Sequence, residues 1–376
     1  MIYFDNAATT KTDAIALDAL KKFGIESFYN PSALYKEAAV NFKALTEART
    51  GILRLLRGDG DFIFTASGTE ADNMAIYGAK KPKNSRIIVS EGEHAAMLAP
   101  ANDLKQKGYD VVFAPINGDG SLNIVEFKKL LTRGVSFVSI LHVSNETGAV
   151  NDIEKIVKLV RAVSPDAIIH SDGVQALGKI NINLLKSGVD LYSVSAHKVH
   201  APRGVGGLYI KKGVKINPLI LGGGQEKGLR SATENLAGNY AFFKILEKNL
   251  AVFDAAAAKR KEVLDRIRRG IISEISDSQI ISPENSPHIL TVALKGVRGE
   301  VVLHSLEEYG ILIGVGSACG SKKGINKTQA AFGLDDAHKE GIIRISVSEE
   351  NTLEEADELV AKLKTVTQKL SGYKRI

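Results

Sequence analysis

The chain has 376 residues, 44% of them hydrophobic and 24% charged, a balance that belongs to a globular protein and excludes a disordered, collagen-like or membrane-embedded one. Its 49 basic and 43 acidic side chains are scattered, so the net charge of +6 forms no basic stripe, and with 6% aromatics and no tryptophan no direct nucleic-acid partner is expected. A single cysteine, Cys319, excludes an intrachain disulfide framework, and the lack of an apolar stretch of bilayer length points to a cytoplasmic protein with no membrane partner.

In chain order, FIFT at 62–65 reads as a strand that stops at Ser67-Gly68-Thr69, where the helical ADNMAIYGAK begins. RIIVS at 86–90, VSFVSIL at 135–141, AIIHS at 167–171, LYSVS at 191–195 and GGLYI at 206–210 read as further strands, with amphipathic segments such as DIEKIVKLVRAVS between them. Alternating strands and helices predict a mostly parallel sheet covered by helices, with ligands outside the carboxyl ends of the strands. From 241 to 271 the pattern reads as one long helical run joining two bodies. HILTVAL, VVLHSLEEYGILIG, GIIRISVS and a last helix capped by Asn351 or Thr352 then read as a smaller α+β unit. The expected division is a large domain over 15–255 and a small one made of 1–14 and 256–376.

Three strand ends carry chemistry. Gly68 and Thr69 open a helix whose free N–H groups suit a phosphate, although Ser and Thr there are also ordinary caps. Asp172 ends AIIHSD and either caps the next helix or faces a cavity. Lys198 stands 26 residues later (198 − 172), after LYSVS, and reads as a surface residue, a phosphate ligand or a nucleophile. A lysine attacks a carbonyl only without its proton, which burial and neighbouring cations favour. Lysine, carboxylate and phosphate seat together are what pyridoxal phosphate needs. Other motifs fail on spacing: RGVGGLY has Tyr209 where GxGxxG needs its last glycine, LGGGQEKGL lacks the end of a P-loop, and His197 with His200 lacks a third metal ligand.

With YFDNAATT, NPSALY, SGTEADN, EGEHAAML, HVSNETG, SDGVQALG, SAHKVHAPRGVGGLYI, GGGQEKGLRSAT, GSACGS and IIRISVS in this order, the chain resembles the NifS/IscS-like cysteine desulfurases of the class V aminotransferase group. The resemblance implies pyridoxal 5′-phosphate fold type I: an α/β protein with a mostly parallel seven-stranded-type sheet flanked by helices, and a smaller α+β domain. It implies that Lys198 holds the cofactor as a Schiff base, Asp172 pairs with the ring nitrogen and Gln175 bonds the ring hydroxyl. His94 would stack on the ring and move protons, or else be a structural histidine. Gly68, Thr69, Ser195 and His197 would seat the phosphate. Thr233 would reach the phosphate of a neighbouring subunit, which implies a homodimer. Asn145 would lie near the ring and the substrate carboxylate. Arg344 would grip that carboxylate, its other reading being a salt bridge at a strand edge.

Cys319 sits in GVGSACGSKKGINK, where Lys322 and Lys323 favour the thiolate, and resembles the persulfide cysteine. The implied reaction takes L-cysteine to L-alanine and passes sulfur to an acceptor protein of iron–sulfur cluster assembly or thiolation. A selenocysteine lyase, another class V enzyme, or a silent scaffold of an assembly complex are the alternatives. Ser144, His200 and Ala232 depart from the family's usual motifs without removing a catalytic group.

Overall fold

The apolar runs become strands because their side chains are buried on both sheet faces, as in a parallel sheet roofed by helices. A computed structural model describes residues 1–316 and 330–371. Seven strands form the large sheet: β2 (Asp61–Thr65), β3 (Arg86–Ser90), β4 (Asp110–Ala114), β5 (Val135–Ser139), β6 (Ile168–Asp172), β7 (Leu191–Ser195) and β8 (Gly206–Ile210), following β1 (Ile2–Phe4) in the chain. Their order is β2-β8-β7-β6-β5-β3-β4. The five strands from β4 to β7 are parallel, while β8 runs antiparallel to both β7 and β2. Two reversals return β2 to the direction of β7, so its carboxyl end lies on the same edge as theirs. Strand β4 is absent from the strands expected above; it is an edge strand with an exposed first residue and only half-buried Val112 and Phe113.

One core packs Ile52, Phe62, Phe127, Tyr192 and Phe242, and another packs Met74, Ile87, Met97, Phe137 and Leu208. A second sheet has the order β1-β11-β12-β10-β9, with β9 at Ser278–Ile280, β10 at Ile289–Leu294, β11 at Ile311–Val315 and β12 at Ile342–Ser346. Its core holds Phe4 together with Ile267, Leu290, Ile343 and Leu359. The first strand of the chain thus pairs, in parallel, with β11 more than 300 residues away (Ile2 opposite Ile311).

The single helical run expected over 241–271 is two helices, Leu236–Ala251 and Phe253–Glu274, separated at Val252. The first buries Phe242, Phe243 and Leu246 in the core that holds Phe62 and Tyr192, packed on the helix Lys36–Leu55; the second buries Val263, Leu264 and Ile267 in the core of the small sheet. Periodicity reports a buried face but not which core receives it. The last helix, Leu353–Ser371, resolves the two expected caps. Thr352 Oγ1 accepts from Glu355 N, and Glu355 Oε2 accepts from Thr352 N, which is a capping box. Asn351 instead donates to the Tyr3 carbonyl and ties β1 down. Among the described residues no helix is long and apolar enough to cross a membrane.

Candidate active site

Segments leaving β2, β3, β5, β6 and β7 at their carboxyl ends enclose a cavity of about 870 Å³, closed from the second sheet by Val315 and Arg344 and from the amino-terminal segment by Ala7 and Ala8. Gly68, Thr69, His94, Asn145, Asp172, Gln175, Ser195, His197, Lys198 and Arg344 all line it.

The seat after β2 is a helix start. Ser67 Oγ accepts from Glu70 N at 3.0 Å and the Ser67 carbonyl from Ala71 N at 3.1 Å. Capping therefore falls to Ser67, and the amides of Gly68 and Thr69 are the ones left for a ligand. The turn is held close by glycine: a Cβ on Gly206 of β8 would lie 2.5 Å from the Ser67 carbonyl carbon, and one on Gly68 would lie 2.8 Å from Val174 Cγ2. Ser195 ends β7 beside it, and His197 Nδ1 lies 3.1 Å from Thr9 Oγ1. Burial, helped by the charges of Lys198 and Arg203, pushes His197 down to about 4, so its ring is neutral. His200, with φ of +65°, turns away and puts Nδ1 on the Lys11 carbonyl at 2.9 Å. Among the described residues no group of three or more His, Cys, Asp or Glu is placed to hold a metal.

Lys198 follows β7 in a short 3-10 turn and donates from Nζ to the carbonyls of Ala7 and Ala8, each at 2.6 Å. Burial, then the Arg344 guanidinium, push its amine down to about 8, against the pull of Asp5 and Asp172. His94 caps the helix Ala95–Gln106, with Nδ1 accepting from Ala96 N at 3.1 Å. It is thus both a structural histidine and part of the cavity wall, with Nε2 as the ring nitrogen free to carry a proton.

Asp172 Oδ1 accepts from Val174 N at 2.8 Å. Behind it lie two carboxyls that stand inside the motifs SGTEADN and EGEHAAML without being marked there as site residues, Asp72 and Glu93, 1% and 3% exposed. Burial and the neighbouring carboxylates push both well up, and burial also raises Asp172. Buried carboxyls this close cannot all be ionised. Asp172, which keeps the Val174 N–H and the nearby charge of Lys198, is the one that keeps its charge. Glu93 accepts from Ser139 Oγ at 2.8 Å, Ser139 meets His170 Nδ1 at 2.9 Å, and His170 Nε2 meets Ser193 Oγ at 2.8 Å. The available signal was position: Asp72 shares a helix face with buried Gly68, Ala71, Ala75 and Ile76.

Arg344 lies on β12, the central strand of the small sheet, so it is not at a strand edge, but the salt bridge of that alternative reading is present, to Asp5. It donates to the Asn145 carbonyl at 2.8 Å and to Asp5 Oδ1 at 3.1 Å, while its buried Nε has no partner among the described residues. Asn145 Nδ2 donates to Glu146 Oε1 at 3.0 Å. Ser144, at a departure from the motif, accepts from the N–H groups of Glu146 and Thr147 and so holds the same turn. Thr233 is exposed and is not part of this cavity's lining. Cys319 lies outside the described residues.

A lysine amine and a buried carboxylate facing one cavity, with a helix-start anion seat between them, define the class of pyridoxal phosphate-dependent enzymes of fold type I. The chain belongs to the aminotransferase class-V family, whose model matches residues 2–359. It is 35% identical over 376 residues to a cysteine desulfurase of Trichormus azollae, with 98% of this chain and 94% of that one covered. It is 39% identical over 380 residues to a NifS/IcsS protein homolog of Lactobacillus delbrueckii subsp. bulgaricus, with 99% and 98% covered. A solved NifS-like protein superposes with a TM-score of 0.89 at 31% identity, covering 99% of each chain. SspA in complex with cysteine superposes at 0.82 and 28% identity, covering 94% of this chain and 100% of that one. Pyridoxal 5′-phosphate is the family's cofactor, and the residues here fit it: unclaimed amides at the helix start, a lysine whose amine burial pushes down to about 8 and a buried aspartate in the cavity wall.

Proposed function

We propose that this protein is a pyridoxal 5′-phosphate-dependent cysteine desulfurase that takes L-cysteine to L-alanine and hands the sulfur, as a persulfide on Cys319, to an acceptor protein of iron–sulfur cluster assembly or thiolation. The observation that carries this reading is the convergence of Lys198, Asp172, His94 and Arg344 on one cavity whose wall includes Val315, four residues before Cys319. Four residues of chain reach no more than about 14 Å.

When bound, the cofactor draws electrons from the substrate's α-carbon. Lys198 Nζ, pushed down to about 8, would be the amine that joins it. Asp172 would hold the ring nitrogen's proton, and Gln175 Nε2 would donate to the ring hydroxyl. Gly68 and Thr69 amides, Ser195 and His197 hold the phosphate. Arg344, with Asn145 beside it, binds the substrate carboxylate, which its unpartnered Nε suits. His94 Nε2 moves protons at the substrate. The Cys319 thiolate attacks the substrate sulfur: an S–S bond forms, the Cβ–S bond breaks, and the carbon skeleton takes up a proton and leaves as alanine.

Homodimer formation is supported by an exposed apolar set from the amino-terminal segment, including Phe28, Leu34, Tyr35 and Phe42. Thr233, exposed and outside its own cavity's lining, is the residue that serves a second copy's phosphate. The two sheets and their separate cores support a large unit over 15–255 and a small one of 1–14 and 256–376. A lone working thiolate suits a reducing compartment, and we place the protein in the cytoplasm.

The test is incubation with cysteine while alanine and the mass of the Cys319 peptide are followed. One added sulfur atom on that peptide, with alanine in step, is expected; Cys319→Ala should bind cofactor and fail to deliver sulfur. Persulfide transfer by Cys319→Ala at the wild-type rate would end this reading of the cysteine.

A further inference from the structure

His288 stands immediately before β10, in the part of the chain that builds the second sheet, yet its side chain reaches the wall of the cavity. It is 1% exposed, its backbone carbonyl is held by Val347 N at 2.9 Å, and its Nε2 lies 2.9 Å from Gln175 Oε1. Gln175 in turn donates from Nε2 to the Ala7 carbonyl at 2.9 Å, the same oxygen that takes the Lys198 amine.

These contacts allow one arrangement of protons. A backbone carbonyl only accepts, so the amide must turn its nitrogen to Ala7. Its oxygen then faces His288, and two acceptors cannot meet there, so His288 Nε2 carries the hydrogen. His288 Nδ1 is left as an acceptor without a partner among the described residues. That costs less than burying an imidazolium among the cations that surround it. Those are Lys179 after β6, Arg260 on the helix Phe253–Glu274, Arg344 on β12 and Lys198 after β7, and together with burial they push the ring well down, to the neutral form.

We propose that His288 is a positioning residue for the cofactor site: through Nε2–H it pins the Gln175 oxygen, so that the amide can present only its remaining N–H to the cofactor hydroxyl. The proposal rests on reading Gln175 as the ligand of that hydroxyl. Without His288 the amide is free to turn, and an oxygen facing the ring oxygen would repel it.

The first test needs neither cofactor nor turnover. Ring-nitrogen NMR of the 15N-histidine-labelled protein, with the His288 signal identified by its loss in His288→Gln, should give a neutral ring protonated at Nε2 from pH 6 to 9. An Nδ1–H tautomer or an imidazolium would overturn the proposal. The second follows the cofactor's visible band against pH in the holoenzyme. Loss of an N–H donor to an oxyanion should raise the band's apparent pKa by about one unit in His288→Leu and at least as much in Gln175→Leu. His288→Gln, which can still donate, should restore it. If Gln175→Leu moves the band and His288→Leu does not, the role of His288 is wrong. If Gln175→Leu leaves the band in place, the reading of Gln175 is what fails.

Discussion

Lys198 is held by two carbonyl oxygens and a buried setting, and the same setting that disfavours its charge suits the nucleophilic role we propose for it. Its amine sits at about 8, well below an ordinary lysine. Only the neutral amine attacks a carbonyl, so uptake of cofactor by the apoprotein should quicken about tenfold per pH unit below pH 8 and level off above it. Stopped-flow absorbance from pH 6 to 9 measures this, and a flat profile would show that the amine is not the attacking group. Lys198 and Asp172 were legible as candidate chemistry because each residue type, set at a strand end, has few uses there, whereas His94 was marked only by the family resemblance. Asp72 and Glu93 were not, since a carboxylate inside a motif looks the same whether it meets water or a second buried carboxyl.

Glycine decides how closely elements approach at the proposed phosphate seat. Strand β8 passes directly over the turn that opens the helix Gly68–Gly78, and Gly206 is the point of contact. In Gly206→Ala the methyl would enter the Ser67 peptide, so the turn must shift. We expect a loss of about 1–3 kcal/mol in stability and faster cofactor release, measured by denaturant unfolding and by cofactor exchange. Gly134→Ala, whose Cβ would meet nothing nearer than Thr132 Oγ1 at 3.9 Å, is the control. Equal behaviour of the two variants would show that the close approach is not needed. Most of the strands were legible because their apolar runs are buried on both faces. The edge strand β4 and the split of the helical run at Val252 were not, because both depend on which neighbour an element meets.

Across the whole molecule, one charged cluster joins the two cores. Arg260, 1% exposed, donates to Glu349 at 3.1 Å and to the Gly178 carbonyl at 3.2 Å, while Lys179 and His200 approach Glu349 at 4.0 and 3.6 Å. Burial by itself would raise the Glu349 carboxyl, but Lys179, a backbone N–H, Arg260 and His200 together bring it down to about 2. A carboxyl whose folded value lies below its unfolded one stabilises the fold above the unfolded value and loses that contribution as pH falls toward the folded one. Glu349→Gln should therefore cost about 2 kcal/mol near pH 7, less than a fully buried pair because the carboxylate is a quarter exposed. The difference should shrink between pH 5 and 3 in urea unfolding. A gap that does not change with pH would rule out the ion pairs as its source.

By itself the sequence determined the alternation of strand and helix, the helix start at Gly68, and the two residue types, lysine and aspartate, that end neighbouring strands. These are local properties: burial pattern, backbone polarity and the chemistry of single side chains act within a few residues. Only the tertiary structure decided that β1 pairs in parallel with β11, that Arg344 reaches the Asn145 carbonyl and that His288 Nε2 meets Gln175 Oε1 from 113 residues away. Such contacts depend on where whole elements dock, which is set by the summed packing of both sheets and leaves no mark on the periodicity of any one segment.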